Sequence, residues 1–255
     1  MMTAETSKAT VFKLGRVAFS VANCDVDFQT TLDILFPHSN QETLNEEEIY
    51  EVRTGCDRDI RGLLNHILKK HLGCIWIDAG ALIAPNGKKV LLVGQSGAGK
   101  STTTMALALR YGWKVLGEDL VLLDQKTDKI ISFASPFSLK PGTRELLEET
   151  IQKTPDPILE DEWSPLGTMA GHGDIDLPFD LSIFLERAEE FDPQLEIIET
   201  GQPEFVRKIL GISNLLRFKN SAEQMLGYLG SRPCLTLRNG TLAERLEAIL
   251  NAVSD

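Results

Sequence analysis

The sequence predicts an α/β fold, a mixed and twisted sheet with flanking helices, on three observations. Short strand-like runs alternate with segments of helical periodicity through the centre of the chain. A glycine-rich loop, residues 94–101 (GQSGAGKS), leads from a strand pattern, KKVLLV, into a helical one, TTTMALALR. The 255 residues are 42% hydrophobic and 25% charged, enough apolar material for a buried core.

Taken in order, residues 10–22 (TVFKLGRVAFSVA) mix β-branched and aromatic residues and read as strand, and residues 48–54 (EIYEVRT) alternate in the same way. A polar, acidic connection, PHSNQETLNEEE, lies between them. Ile60, Leu63, Leu64, Ile67, Leu68 and Leu72 recur at helical spacing, so residues 58–72 read as an amphipathic helix. Residues 1–72 are therefore expected to form a β-rich subregion with one helix, and residues 73–255 the main domain. In the main domain, strands are expected at 75–83 and 88–93 around the turn Pro85-Asn86-Gly87, with a helix at 101–111. A strand at 113–123, one or two more in 130–140 and a helix at 143–153 follow. Residues 154–178, rich in proline, glycine and acid, read as a mobile loop. Strands at 181–186 and 195–198 and a helix near 203–218 come next. A last helix begins at Thr241, with Glu244 three residues on as a capping box and Leu242, Leu246, Ile249, Leu250 and Val253 on its apolar face.

Charge and composition exclude several functions. A net charge of −11 argues against a general nucleic-acid surface, which needs Lys and Arg in excess. No apolar run approaches the length of a membrane span, and the N-terminus lacks the apolar core of a signal peptide. Cys24, Cys56, Cys74 and Cys234 are scattered, and free thiols in a reducing cytoplasm are expected. His38, His66, His71 and His172 show no metal-ligand spacing.

The loop carries the chemistry. Residues 94–101 match G-x-x-x-x-G-K-[ST] in full. Gly94, Gly97 and Gly99 let the backbone turn tightly and aim successive N–H groups inward as an anion nest. The helix that starts there adds the positive end of its dipole. Lys100 can reach terminal phosphate oxygens and the Ser101 hydroxyl can ligate Mg2+. The expected nucleotide-contacting set is Gly94, Gln95, Ser96, Gly97, Ala98, Gly99, Lys100, Ser101 and Thr102, holding ATP with Mg2+. Glu118-Asp119 follows Lys100 by 18 positions, at or near the end of the next strand. Carboxylates there can ligate Mg2+ or accept the proton of an attacking hydroxyl, and their mutual repulsion raises the proton affinity of one. The same pair also fits a solvated acidic turn.

The spacing resembles the HPr kinase and phosphoenolpyruvate-carboxykinase-like branch of P-loop kinases. The segments that carry the resemblance are ALIAPNGKKVLLVGQSGAGKST, YGWKVLGEDLVLL and ASPFSLKPGT; it is best over residues 79–145 and weaker over 181–218. The resemblance implies an HPr kinase-like domain that transfers the γ-phosphoryl group of ATP to a hydroxyl, a serine by preference, of a protein or peptide. Two positions depart from the family pattern. Glu118 stands where the family has Asp, and Ala79, aligned back from Gly87, stands where it commonly has His. Catalysis is therefore expected from Lys100, Glu118 and Asp119, with Ser101, Glu118 and Asp119 at the metal.

Lys140 in SLKPGT is a candidate second basic contact to phosphate, and fits an exposed lysine beside a helix start equally well. Arg144, Arg207 as a charge-stabilising finger and His172 in AGHGDID are weaker candidates. An ATPase driving a partner and a nucleotide-binding protein without turnover stay open beside the kinase. A homo-oligomer is left open as well.

Overall fold

The structure is a computed structural model that describes residues 10–22, 24–36, 49–53, 60–152, 163–164, 174–187 and 194–254. The chain divides into two compact units, Met1–Leu72 and Gly73–Asp255.

In the first unit, β1 (Phe12–Leu14) and β2 (Val17–Ala22) form an antiparallel hairpin, and β2 pairs in parallel with β3 (Ile49–Arg53). A parallel pair needs a crossover, and α1 (Val26–Leu35) lies within it. The sequence reading placed no element there. Its signals were a cap and a short stripe: the Phe28 N–H donates to Asp25 Oδ1 at 2.8 Å, and Phe28, Leu32 and Leu35 bury one face. Phe12, Phe19 and Phe36 pack ring against ring, with centroids 5.5–6.3 Å apart. Helix α2 (Ile60–Leu68) buries Ile60, Leu63 and Ile67, whereas Leu72, expected on that face, lies beyond the helix and is exposed.

The second unit is a mixed α/β structure built on a six-stranded sheet. Its strands are β5 (Ala79–Ile83), β6 (Lys89–Gly94), β7 (Lys114–Gly117), β13 (Leu181–Glu186), β14 (Glu196–Glu199) and β15 (Cys234–Arg238), in the order β14-β15-β13-β6-β5-β7. The β6–β13 and β13–β15 pairs are parallel and the others antiparallel. Strand β6 shows the alternation that builds the layers. Val90 and Leu92 enter one apolar cluster with α3 (Lys100–Tyr111), α4 (Pro141–Ile151) and α7 (Leu242–Ser254). Leu91 and Val93 enter the other, with α5 (Gln202–Ile209), α6 (Ser221–Leu229) and a second sheet. That second sheet is antiparallel, in the order β12-β9-β8-β4, from β4 (Ile75–Ile77), β8 (Val121–Asp124), β9 (Lys129–Ile131) and β12 (Ile175–Asp176).

Two expected strands are each cut in two. The run at 75–83 leaves the second sheet at Ile77 and enters the main sheet at Ala79, with Asp78 at the break. The run at 113–123 leaves the main sheet at Gly117 and joins the second at Val121, with Glu118-Asp119 at the break. Both pieces of each run are apolar, so composition carries no mark of the change of sheet. Asp119 turns the chain with φ 61°, a left-handed conformation that Asp tolerates better than most residues.

Other differences are smaller. Helix α4 begins two residues before the expected 143, at Pro141, whose fixed φ suits a first helical turn. Within 154–178, the described residues include β11 (Trp163–Ser164), paired with β10 (Phe137–Ser138), and β12. The helix expected near 203–218 is α5 followed by 3-10 turns at 210–212 and 215–217. Helix α6 and strand β15 were not expected, although β15 sits inside the main sheet between β13 and β14.

The capping box on α7 is present. The Thr241 N–H donates to Glu244 Oε2 at 2.7 Å and the Glu244 N–H to Thr241 Oγ1 at 3.3 Å. Thr241→Ala removes the hydroxyl half and is expected to cost about 1 kcal/mol, read from the urea midpoint.

Among the described residues Cys234 is a free thiol and Cys74 is buried, and no helix is long and apolar enough to cross a membrane.

Candidate functional site

Strand β6 ends at Gly94, and the chain turns through residues 95–99 before α3 begins at Lys100. Gly97 and Gly99 hold φ +80° and +92°, where a side chain would be strained. Helix α3 therefore starts directly out of a left-handed residue, with Gly99 as its cap. The Thr103 N–H donates to Gly99 O at 2.9 Å.

Lys100 is buried. Its Nζ donates to Gly94 O at 2.8 Å and lies 3.0 Å from Asp78 Oδ1. Asp78 was not among the residues singled out from the sequence. Its signal was a lone acid in the apolar run IWIDAGALI, and the break between β4 and β5 brings it to Lys100. Burial raises its carboxyl above the ordinary range, and the Lys100 ammonium opposes that rise. Ala79, next in line, points instead into an apolar cluster and is fully buried.

The acid turn after β7 meets the start of α3. Glu118 is 3% exposed and its side chain hydrogen-bonds with that of Ser101. Burial and then the neighbouring Asp119 push the Glu118 carboxyl up to about 8, against the pull of Ser101 and Lys100. Asp119 is exposed on the same turn. Ser135 Oγ donates to Glu118 O at 3.2 Å and steadies the turn from behind. One carboxyl thus faces inward, where burial favours its neutral form, while the other faces water.

Oxygen donors of this kind suit a hard divalent cation such as Mg2+. Ser101 and Glu118 are already joined, and Asp119 stands beside them. Among the described residues, no group of three or more His, Cys, Asp or Glu side chains is arranged to hold a metal ion. A cation here would need further ligands from a bound molecule, as Mg2+ commonly takes from phosphates.

The remaining sequence candidates divide. Lys140 is exposed at the cap of α4, and its charge helps lower the Asp78 carboxyl, so its ammonium lies on the same side. Thr102 Oγ1 lies 2.7 Å from Thr143 Oγ1, tying α3 to α4 rather than facing the loop alone. Arg144 is exposed on α4. Arg207 is not brought to the loop: α5 packs against the sheet face opposite to α3, and Arg207 pairs with Glu204 at 3.7 Å in solvent. His172 lies outside the described residues.

Two arginines that sequence reading missed flank the loop. Arg245 of α7 donates from Nη1 to Ala98 O at 2.8 Å, from Nε to Asn239 O at 2.7 Å and from Nη2 to Glu186 O at 3.4 Å. One guanidinium thereby ties the loop to the ends of β13 and β15. Arg187, just after β13, places Nη1 3.4 Å from the position a Cβ on Gly97 would take. Neither has a local sequence signal, because both reach the loop from distant elements.

No protein-family model matches the chain, and no curated protein does. Among solved structures, that of the HPr(Ser) kinase/phosphatase from Coxiella burnetii is similar over 69% of this chain and 93% of that one, at 14% identity and a TM-score of 0.32. A likeness at this level fixes neither fold nor chemistry, and both rest on the chain's own geometry.

Proposed function

We propose that the second unit is an HPr kinase-like, P-loop phosphotransferase that uses ATP and Mg2+ to phosphorylate a hydroxyl, a serine by preference, on a protein or peptide. One observation carries the reading: the loop's Lys100 and Ser101 stand against three acids, Asp78, Glu118 and Asp119, delivered by two separate chain breaks between sheets. A surface glycine turn has no need of a buried lysine or a buried glutamic acid.

The loop N–H groups and Lys100 would hold the phosphate chain of ATP, with Lys140 a further cation on the acid side. Ser101 and Glu118, with Asp119 beside them, would hold Mg2+, which supplies charge neutralisation on the phosphate oxygens when bound. Glu118 must release its proton for that role, so the metal competes with the proton there. Asp119, exposed and outside the Ser101 bond, then accepts the proton of the acceptor hydroxyl. The acceptor oxygen forms its bond to the γ-phosphorus as the bond from that phosphorus to the β-γ bridging oxygen breaks. ADP leaves with that oxygen. Positioning and charge stabilisation account for most of the acceleration.

The test is transfer from γ-labelled ATP with Mg2+ into cell extract, with Lys100→Ala and Asp119→Asn as controls. The expected result is a labelled protein or peptide that both substitutions lower by about 100-fold or more. ATP binding that depends on Lys100, with phosphate release and no labelled acceptor, would replace the kinase by an ATPase. Binding with neither would leave a nucleotide-binding protein without turnover.

A further inference from the structure

Resting on that phosphate reading, we propose that the cleft between the glycine-rich loop and α7 holds the base and ribose of the nucleotide, with Arg187 as the face on which the base lies. The loop has two flanks. On one stand Lys100, Ser101, Glu118 and Asp78. On the other a cleft of about 250 Å3 opens between Gly97–Gly99 and a wall of Leu146, Arg187, Gly240, Leu242 and Arg245. None of the acids lines it. A triphosphate whose terminal group meets the acids is a linear chain, so its nucleoside must leave the loop on the other flank, over Thr102 and Thr103 at the cleft floor.

The walls select the class of occupant. Among the described residues, two guanidinium groups and no carboxylate line the cleft, a charge that suits an electron-rich occupant better than a cation. Arg245 is committed to three carbonyls and acts as a strut. Arg187 has no hydrogen bond or ion pair among the described residues, yet lies against Gly97. A planar, weakly hydrated guanidinium offers a stacking face for an aromatic ring. Leu146 is 58% exposed and Leu242 partly buried, so the cleft mouth presents apolar surface that a flat ring would cover. A site for inorganic anion alone has no use for those leucines. Gly240, at φ +74°, turns the backbone tightly at the remaining edge.

The experiment is calorimetric titration of the full chain with Mg-ATP and, separately, with Mg-tripolyphosphate. Leu242→Trp fills the cleft, Arg187→Lys keeps the charge but loses the plane, and the exposed Leu146→Ala trims one wall with little risk to folding. Unfolding midpoints check that each variant is folded. Leu242→Trp is expected to weaken ATP about tenfold, and the other two about threefold to fivefold, with tripolyphosphate affinity within about twofold of wild type in all three. If wild type binds ATP no tighter than tripolyphosphate, the nucleoside makes no contact and the inference is overturned. Equal weakening of both ligands, or no weakening of ATP by Leu146→Ala and Arg187→Lys, overturns it too while leaving the phosphate reading intact. Failure of wild type to bind either ligand removes that reading, and this inference with it.

Discussion

Glu118→Gln is expected to make the protein more stable than wild type at pH 9, by at most about 5 kcal/mol, while leaving the two nearly equal below pH 4.5. The reason is the buried carboxyl, which burial and Asp119 push from 4.5 up to about 8. The sign follows from linkage. Below pH 4.5 both the folded and unfolded chains carry the proton, and the stabilising difference is fully present. Between 4.5 and about 8 the unfolded chain ionises while the native carboxyl stays neutral, so native stability falls steadily. Above about 8 both are ionised and the loss is complete. Glutamine has no proton to lose and can still accept a hydrogen bond from Ser101. Asp78, also raised, acts in the same direction in both proteins, and because its charge helps raise Glu118, a part of the difference belongs to the pair. Urea unfolding of both proteins at pH 5 and pH 9 reads the divergence; an equal difference at the two pH values would show that Glu118 is ionised in the fold throughout. In the proposed reaction the same substitution deletes a metal ligand, so transfer should fall although stability rises, as expected of a strained functional group.

Gly94→Ala is expected to cost about 3 kcal/mol, near the top of the range for overpacking. A Cβ there would stand 2.5 Å from Leu185 O, 3.2 Å from Leu185 Cβ and 3.3 Å from Ala98 Cβ. Gly94 pairs with Leu185 in the parallel ladder between β6 and β13, so the colliding oxygen is backbone inside a central strand and cannot swing away. Relief would require moving the end of β6, which also carries the carbonyl that receives Lys100. Gly211→Ala is the control: nothing lies within 4 Å of its Cβ and it should change stability by no more than about 0.5 kcal/mol. Urea midpoints separate the two. An equally mild result at Gly94 would mean that the strands are farther apart than the pairing places them.

The strongest local signals were read correctly because each is written in consecutive residues. The strand before residues 94–101, the helix after them and the Thr241–Glu244 capping box each need only short-range backbone geometry. Strand β13, LSIFLE, was legible from a buried apolar run, and β14 nearly so. Strand β15, CLTLR, is short and mixed in character, and its place inside the main sheet comes from pairing with β13 and β14. Helix α6 likewise carries no cap on its side chains and takes its support from the second apolar cluster.

The sequence by itself determined that a lysine and a serine stand at the start of a helix behind a glycine turn, with two acids near the end of the following strand. Chain connectivity and backbone conformation suffice for that. Tertiary structure decided which acid is buried, which cation is near, and what lies on each flank of the loop. Asp78 reaches Lys100 because the chain changes sheets at residue 78, the Glu118 carboxyl is raised because the next change of sheets buries it, and Arg187 and Arg245 arrive from elements far along the chain. Solvation and long-range pairing set these properties, and neither is recorded in the spacing of residues along one segment.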